Sequence, residues 1–253
     1  VARVVGVARD QQAPQPLLCR VDTGFELGHL FGEGRVLARE FARGREIIGC
    51  AGPCVVRGDD PAFDRPTKFV GQAYGRDVAR ALARHRGWSM ARDREGWRRV
   101  VPSPAPERIL ETDTIHDLLG AGALVICAGG GGVPVTADRD TGALSWVEAV
   151  LDKDLTAALL AEDLKADFLL VLTDVPYVYE GYASPDQRPV LDATPAELRR
   201  GTFPDGSMGP KVEAAARFVE HTGALAAIGA LDAAYEIVHG RSGTLVRPDL
   251  TGG

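Results

Sequence analysis

With 253 residues, 45% hydrophobic and 25% charged, the chain holds enough apolar material for one large α/β domain with an appendage. Its net charge of −6 argues against a nucleic-acid surface, because phosphate backbones are bound by concentrated Lys and Arg. No apolar run approaches the roughly 20 residues that cross a bilayer, and no signal peptide is recognisable. Cys19, Cys50, Cys54 and Cys127 follow no C-x-x-C spacing and read as reduced thiols of a cytoplasmic protein.

The chain opens on Val1 rather than Met, and residues 1–46 give weak signals. Val4 to Val7 suits a short strand and Gln11 to Pro16 a loop, while glycines recur between Gly24 and Gly34 too often for a helix interior. His29 has no partner at metal-binding spacing and reads as a structural or surface residue. Ile47 to Val56 forms a broken apolar strand, ending in the turn Gly58-Asp-Asp-Pro61. A helix follows Gly71, with Val78, Ala81 and Leu82 on one face and Gly87 as C-cap. Arg92 to Arg99, with Trp88 and Trp97 near it, reads as a solvated basic hairpin, and Arg98 to Pro106 as a strand leaving into a Pro-rich connection. Residues 59–102 are thereby an excursion from the main sheet.

The core pattern starts at Ala123. Leu124 to Ala128 is a continuous apolar run, as in a strand buried on both faces. Gly129, Gly130, Gly131 and Gly132 follow directly, at the carboxyl end of a strand, where open α/β sheets bind ligands. Four glycines in a row favour a backbone that lies against a ligand, and their spacing is not that of a dinucleotide loop. Asp152 is a natural N-cap for the next helix, putting Lys153 and Asp154 in its first turn. Asp154 suits that position; Lys153 does not, unless an anion sits there. Phe168 to Thr173 is a second buried strand, Thr194 to Glu197 a capping box, Ala224 to Gly229 a last strand, and Leu231 to Val238 a helix. Gly206, Gly209 and Pro210, with Pro210 at the first helical position, deliver Lys211 to another helix start; alone it would read as an exposed lysine beside a loop, and the Lys153 site and the upstream glycine run are what make it a phosphate handle. Strands alternating with helices predict a mainly parallel sheet covered on both faces.

Ala128 to Val135, Val150 to Leu155, Leu172 to Val175 and Gly206 to Lys211, in this order, closely resemble the carbamate kinases of the amino acid kinase family. Asp59 to Phe63, Pro66 to Lys68 and Trp97 to Pro104 resemble that family's protruding subdomain, and the likeness runs from about Ile47 to Val246. It implies a three-layer α/β/α sandwich forming a single domain over 1–253, with a small protruding subdomain inserted at 59–102. It also implies transfer of a phosphoryl group between ATP and carbamate, giving carbamoyl phosphate and ADP with Mg2+. A cytoplasmic homodimer serving arginine catabolism goes with it, with no membrane and no nucleic acid.

Residue by residue, the resemblance makes Lys153 and Lys211 the lysines that neutralise the transferring group and Asp154 the aspartate that orients them. Lys68 becomes the subdomain lysine that reaches over carbamate. Thr173, Asp174, Tyr179, Gly206, Met208 and Gly209 line the nucleotide pocket, and Gly129 to Gly132 contact the substrate. No residue is assigned as a metal ligand. The family's two N-terminal loops, Gly-Gly-Asn-Ala and Gly-Asn-Gly-Pro-Gln-Val-Gly, do not occur in residues 1–46. Their absence implies the loss of much of the carbamate and phosphate cradle and of strands from the centre of the sheet. A non-catalytic nucleotide-binding remnant, and a related kinase acting on another substrate, are the alternative readings.

Overall fold

A computed structural model describes residues 3–9, 16–21, 47–50, 52–127, 130–203 and 208–249. In chain order come β1 (Arg3–Arg9), β2 (Pro16–Val21), β3 (Ile47–Cys50), β4 (Pro53–Val56), β5 (Lys68–Tyr74), α1 (Arg76–Arg86), β6 (Met90–Asp93) and β7 (Gly96–Val101). Next are β8 (Pro106–Ile109), α2 (Thr112–Gly120), β9 (Leu124–Cys127), β10 (Val133–Ala137), β11 (Leu144–Trp146), α3 (Lys153–Asp163) and β12 (Phe168–Thr173). The chain continues through β13 (Val178–Glu180), β14 (Arg188–Val190), β15 (Asp192–Ala193), α4 (Pro195–Arg200), α5 (Met208–Thr222), β16 (Leu225–Ala230), α6 (Ala234–Val238) and β17 (Thr244–Val246).

The main sheet has eight strands in the order β15-β17-β16-β12-β1-β2-β9-β3. Four neighbour pairs are parallel and three antiparallel, the latter being β16–β17, β12–β1 and β1–β2. Its architecture follows from β12, a run of apolar residues with no polar alternation. Leu169 and Val171 point into the large core with Ala158 and Leu160 of α3 and Ala215, Phe218 and Val219 of α5. Leu170 and Leu172 point the other way, into a smaller cluster with Ala227 of β16 and Ile237 of α6. Period-2 alternation of an all-apolar strand thus requires cover on both faces. Helices supply it, giving three layers.

Two smaller sheets lie beside this one. β11-β10-β4-β8 is four-stranded, and β5-β7-β6 is a three-stranded sheet that carries α1. The sequence run from Ile47 to Val56 therefore splits, β3 joining the main sheet and β4 the second. Arg98 to Pro106 likewise divides between β7 and β8. The basic stretch is a hairpin, as read, with Asp93 opposite Gly96 and Arg98 paired to Asp93 at 2.9 Å.

Three expectations change. The sheet is not missing its centre: β1 and β2 run antiparallel to each other between β12 and β9, so the backbones of both inner neighbours are paired. Gly87 does terminate α1 in the left-handed conformation (φ 66°), but the helix buries Ala79, with Val78 52% exposed. Ala79 is the residue that α1 turns toward the three-stranded sheet, so the buried face follows from that contact and not from the greater hydrophobicity of Val78. Pro210 stands third in α5, since the helix already begins at Met208; its missing N–H is still one of the unpaired first-turn donors. Cys54 and Cys127 are both buried, and burial pushes the Cys54 thiol up to about 11. Cys19, Cys50 and His29 lie outside the residues whose side chains are described.

Phe218 is fully buried where α5 meets the sheet. Phe218→Ala should lower unfolding stability by about 3–5 kcal/mol in urea titration at unchanged m-value, whereas Val78→Ala should stay within about 0.5 kcal/mol.

Candidate active site

The site is built where two helix starts meet one edge of the main sheet. β12 is antiparallel to β1, β1 to β2, and β2 is parallel to β9, so β9 and β12 run the same way. β16 is parallel to β12. The carboxyl ends of all three strands therefore open on a single edge. The glycine loop follows β9 there, and Thr173-Asp174 closes β12.

Asp152 caps α3, its Oδ1 accepting from the Asp154 N–H at 2.9 Å. Its Oδ2 accepts from Lys68 Nζ at 2.6 Å, joining the start of β5 to the start of α3. Burial pushes the Asp152 carboxyl up, but the Lys68 hydrogen bond and charge outweigh it, with help from the Asp154 amide and Lys153. The net effect holds the carboxyl below the usual carboxylate range. Asp154 Oδ2 accepts from Lys211 Nζ at 2.8 Å, and both side chains are nearly out of solvent, 3% and 8% exposed. Asp154 Oδ1 is buried with no hydrogen-bond partner among the described residues.

Three lysines thus share two aspartates, leaving one positive charge over. That charge is Lys153, which makes no hydrogen bond or ion pair among the described residues. Burial lowers its pKa; Asp154 pulls it back up, and Lys211 and Lys68 push it further down. A half-buried ammonium at a helix start, with Lys211 and Lys68 near enough to lower its pKa, is in a setting that a bound anion would relieve. In the sequence Asp152 reads only as a cap. Its grip on Lys68 spans 84 positions and carries no local signal.

The glycine loop divides by residue. A Cβ on Gly131 would lie 2.3 Å from the Leu151 carbonyl oxygen, and Gly132 has φ 83° beside the Gly52 carbonyl. Both are glycine for packing. Gly130 (φ 141°) faces open space, and of the loop glycines described it alone has nothing packed where a side chain would be. Thr156 Oγ1 donates to the Gly131 carbonyl at 3.0 Å, pinning the loop against the first turns of α3. Gly129 and Gly206 lie outside the described residues.

Thr173 Oγ1 donates to Asp174 Oδ1 at 3.0 Å, leaving the Asp174 carboxylate exposed at the sheet edge. Tyr179 stands edge-on to Tyr177 and tilted against Tyr182, each with ring centres 6.3 Å apart, a ring cluster that the sequence showed only at Tyr179. Met208 packs on the main core, and Gly209 lies in the first turn of α5, two residues before Lys211. Among the described residues no three His, Cys, Asp or Glu side chains converge on a metal position. Nor is any helix among them long and apolar enough to cross a membrane.

Residues 70–229 match the amino acid kinase family. The chain is 48% identical over 192 residues to the carbamate kinase of Rhizobium meliloti, covering 76% of this chain and 59% of that protein. It is 42% identical over 227 residues to the carbamate kinase of Thermococcus kodakarensis, covering 87% and 71%. Among solved structures, carbamate kinase from Giardia lamblia bound to AMP-PNP is 37% identical with a TM-score of 0.73, over 84% of this chain and 69% of that one. The chain spans about 60% of the length of the first curated relatives it matches.

Two predictions follow from the ion pairs. Asp154→Asn strands a buried ammonium and should cost about 3–5 kcal/mol in urea unfolding, while the double variant Asp154→Leu/Lys211→Met should recover most of that loss. Asp152 has a depressed folded pKa, so its pair stabilises fully above its unfolded value of 3.8 and is lost as pH falls through the lower folded value. Lys68→Met should therefore be less stable than the wild type by up to roughly 1 kcal/mol at pH 6, with the difference closing on acidification below 3.8.

Proposed function

The chain belongs to the amino acid kinase family, among its carbamate kinases, and on that premise we propose that it transfers a phosphoryl group reversibly between ATP and carbamate, giving carbamoyl phosphate and ADP. The observation that carries this reading is the unpaired, desolvated Lys153 beside the Lys211–Asp154 pair. Phosphoryl transfer asks little covalent chemistry of a protein; it asks for position and for positive charge where the equatorial oxygens develop theirs.

Lys153 and Lys211 supply that charge. Asp154 fixes Lys211 through Oδ2, so the ammonium does not reorganise as the phosphoryl group moves. Lys68, 31% exposed and held by Asp152, stands at the solvent side as the lysine for the carbamate anion. The Gly130 backbone faces the transferring group. Thr173, Asp174, Tyr179, Gly206, Met208 and Gly209 receive the nucleotide, its base against the tyrosine cluster. Magnesium would arrive on the phosphates, with Asp174 as a carboxylate not committed to a lysine, and would neutralise charge on the β- and γ-oxygens. A cytoplasmic homodimer working in arginine catabolism, with residues 59–102 as a lobe over the site, completes the proposal.

A second reading has its own support. Residues 1–46 lack the family's two glycine-asparagine loops, and such a chain would keep the nucleotide half of the site without the carbamate half. ATP formation from carbamoyl phosphate and ADP, measured beside calorimetric ADP binding, separates the two: binding without turnover sinks the kinase reading. If turnover occurs, Lys153→Met should lower it by about 10²–10³. The same variant should unfold at higher urea near neutral pH, because it removes a desolvated charge. With a folded pKa below 10.5, the wild-type lysine binds fewer protons folded than unfolded. Wild-type stability should therefore climb as pH approaches 10.5, and that of Lys153→Met should not.

A further inference from the structure

A cavity of about 300 Å³ opens between α1 and the β6–β7 hairpin, away from the lysine cluster. Its wall is apolar: Ala79 and Ala83 from α1, Met90 from β6 and Trp97 from β7. Arg76 and Arg80 complete the lining. Their spacing of four puts both guanidinium groups on one helix face, where like charges repel. Arg76 is also the first residue of α1, the end where a cation opposes the helix dipole, and Gly75 before it offers no side-chain cap. Neither arginine makes a hydrogen bond or ion pair among the described residues. Their neighbours do find partners: Arg98 bonds Asp93, Arg99 bonds Glu148, and Arg86 lies over the Trp88 ring at 5.0 Å. Asp77 is the one acid in that first turn, against two arginines that pair with nothing among the described residues; like-charge spacing, dipole and the missing side-chain cap are all unfavourable, and a bound anion offsets them.

We propose that this cavity binds a planar organic anion, its ring against Trp97 and Met90 and its carboxylate or phosphate between Arg76 and Arg80. The volume is at the small end for ligand pockets. An indole face and a thioether edge suit a flat ring, and a pair of guanidinium forks suits a planar or phosphate oxyanion. The site owes nothing to the proposed phosphoryl transfer, since its lining shares no residue with the lysine cluster.

The test uses the full chain labelled with ¹⁵N, with the Trp97 indole resonance assigned through Trp97→Phe. The probes are 2-naphthoate, 2-naphthyl phosphate and the neutral 2-naphthamide. The Trp97 signal should move with at least one anion at a Kd of about 1 mM or tighter, the tighter of the two identifying carboxylate or phosphate as the native group. Arg76→Gln/Arg80→Gln, a substitution of two exposed helix residues by a good helix former, should keep its circular dichroism and lose about tenfold in affinity. Raising salt should weaken the wild type more than the variant. No movement of the Trp97 signal, equal binding of the amide, unchanged affinity in the double variant, or complete displacement by AMP-PNP would each overturn the proposal.

Discussion

The buried pair between Lys211 and Asp154 is the constraint on which the site depends. Taking two charges out of water costs several kcal/mol per ion, and a well-packed apolar pair of the same volume would serve the core as well or better. Such a pair is therefore poor evidence of stabilisation and good evidence of a task. It also fixes geometry on a larger scale. Lys211 is in the first turn of α5 and Asp154 in the first turn of α3, so one 2.8 Å contact brings two helix starts together. Both helices point their positive ends at the same small volume. That convergence is self-repelling, and three lysines worsen it. Asp152 and Asp154 offset two of the charges, and the remainder is an opening for an anion.

Around that point the sheet and loop provide rigidity. β9, β12 and β16 deliver their carboxyl ends to one edge because two antiparallel steps through β1 and β2 restore the direction lost at each. The glycine loop at that edge is held from two sides: Gly131 against Leu151 by close approach, and its carbonyl by Thr156. A backbone so placed cannot collapse into an empty site, as preorganised charge stabilisation demands. Of the glycines described there, two are explained by packing and only Gly130 by open space.

The parts of this arrangement legible in the sequence are the ones with local causes. Asp152 as a cap, the capping box from Thr194 to Glu197, Gly87 in the left-handed region and the apolar run of β12 all rest on neighbours within a few residues. Lys153 was legible as an anomaly, a cation where a helix start disfavours one. The Lys68–Asp152 contact was not, because nothing local distinguishes a lysine bonded 84 residues away from a solvated one. Nor was strand order: β1 was read as a strand, yet its place between β12 and its hairpin partner depends on pairings the sequence pattern does not encode. On α1 hydrophobicity alone points to Val78, whereas the buried residue is Ala79, because the face is chosen by contact with a sheet whose strands come from elsewhere in the chain.

The three lysines differ in what leaving their place would cost, and that ordering assigns their behaviour. Lys211 is locked, because its departure strands a fully buried carboxylate. Lys153 has no ion-pair partner to leave among the described residues. Lys68 is held by a carboxylate that would remain useful without it: Asp152 Oδ1 would still cap α3 while Oδ2 turned to water, and at 31% exposure the lysine would rehydrate as it moved. A partly exposed ion pair of this kind is worth about 0–1 kcal/mol, less than a charge-assisted bond to a ligand anion. Of the three, Lys68 is therefore the group able to exchange Asp152 for an incoming anion. Because Lys68 begins β5, that exchange would reach the three-stranded sheet through the backbone itself.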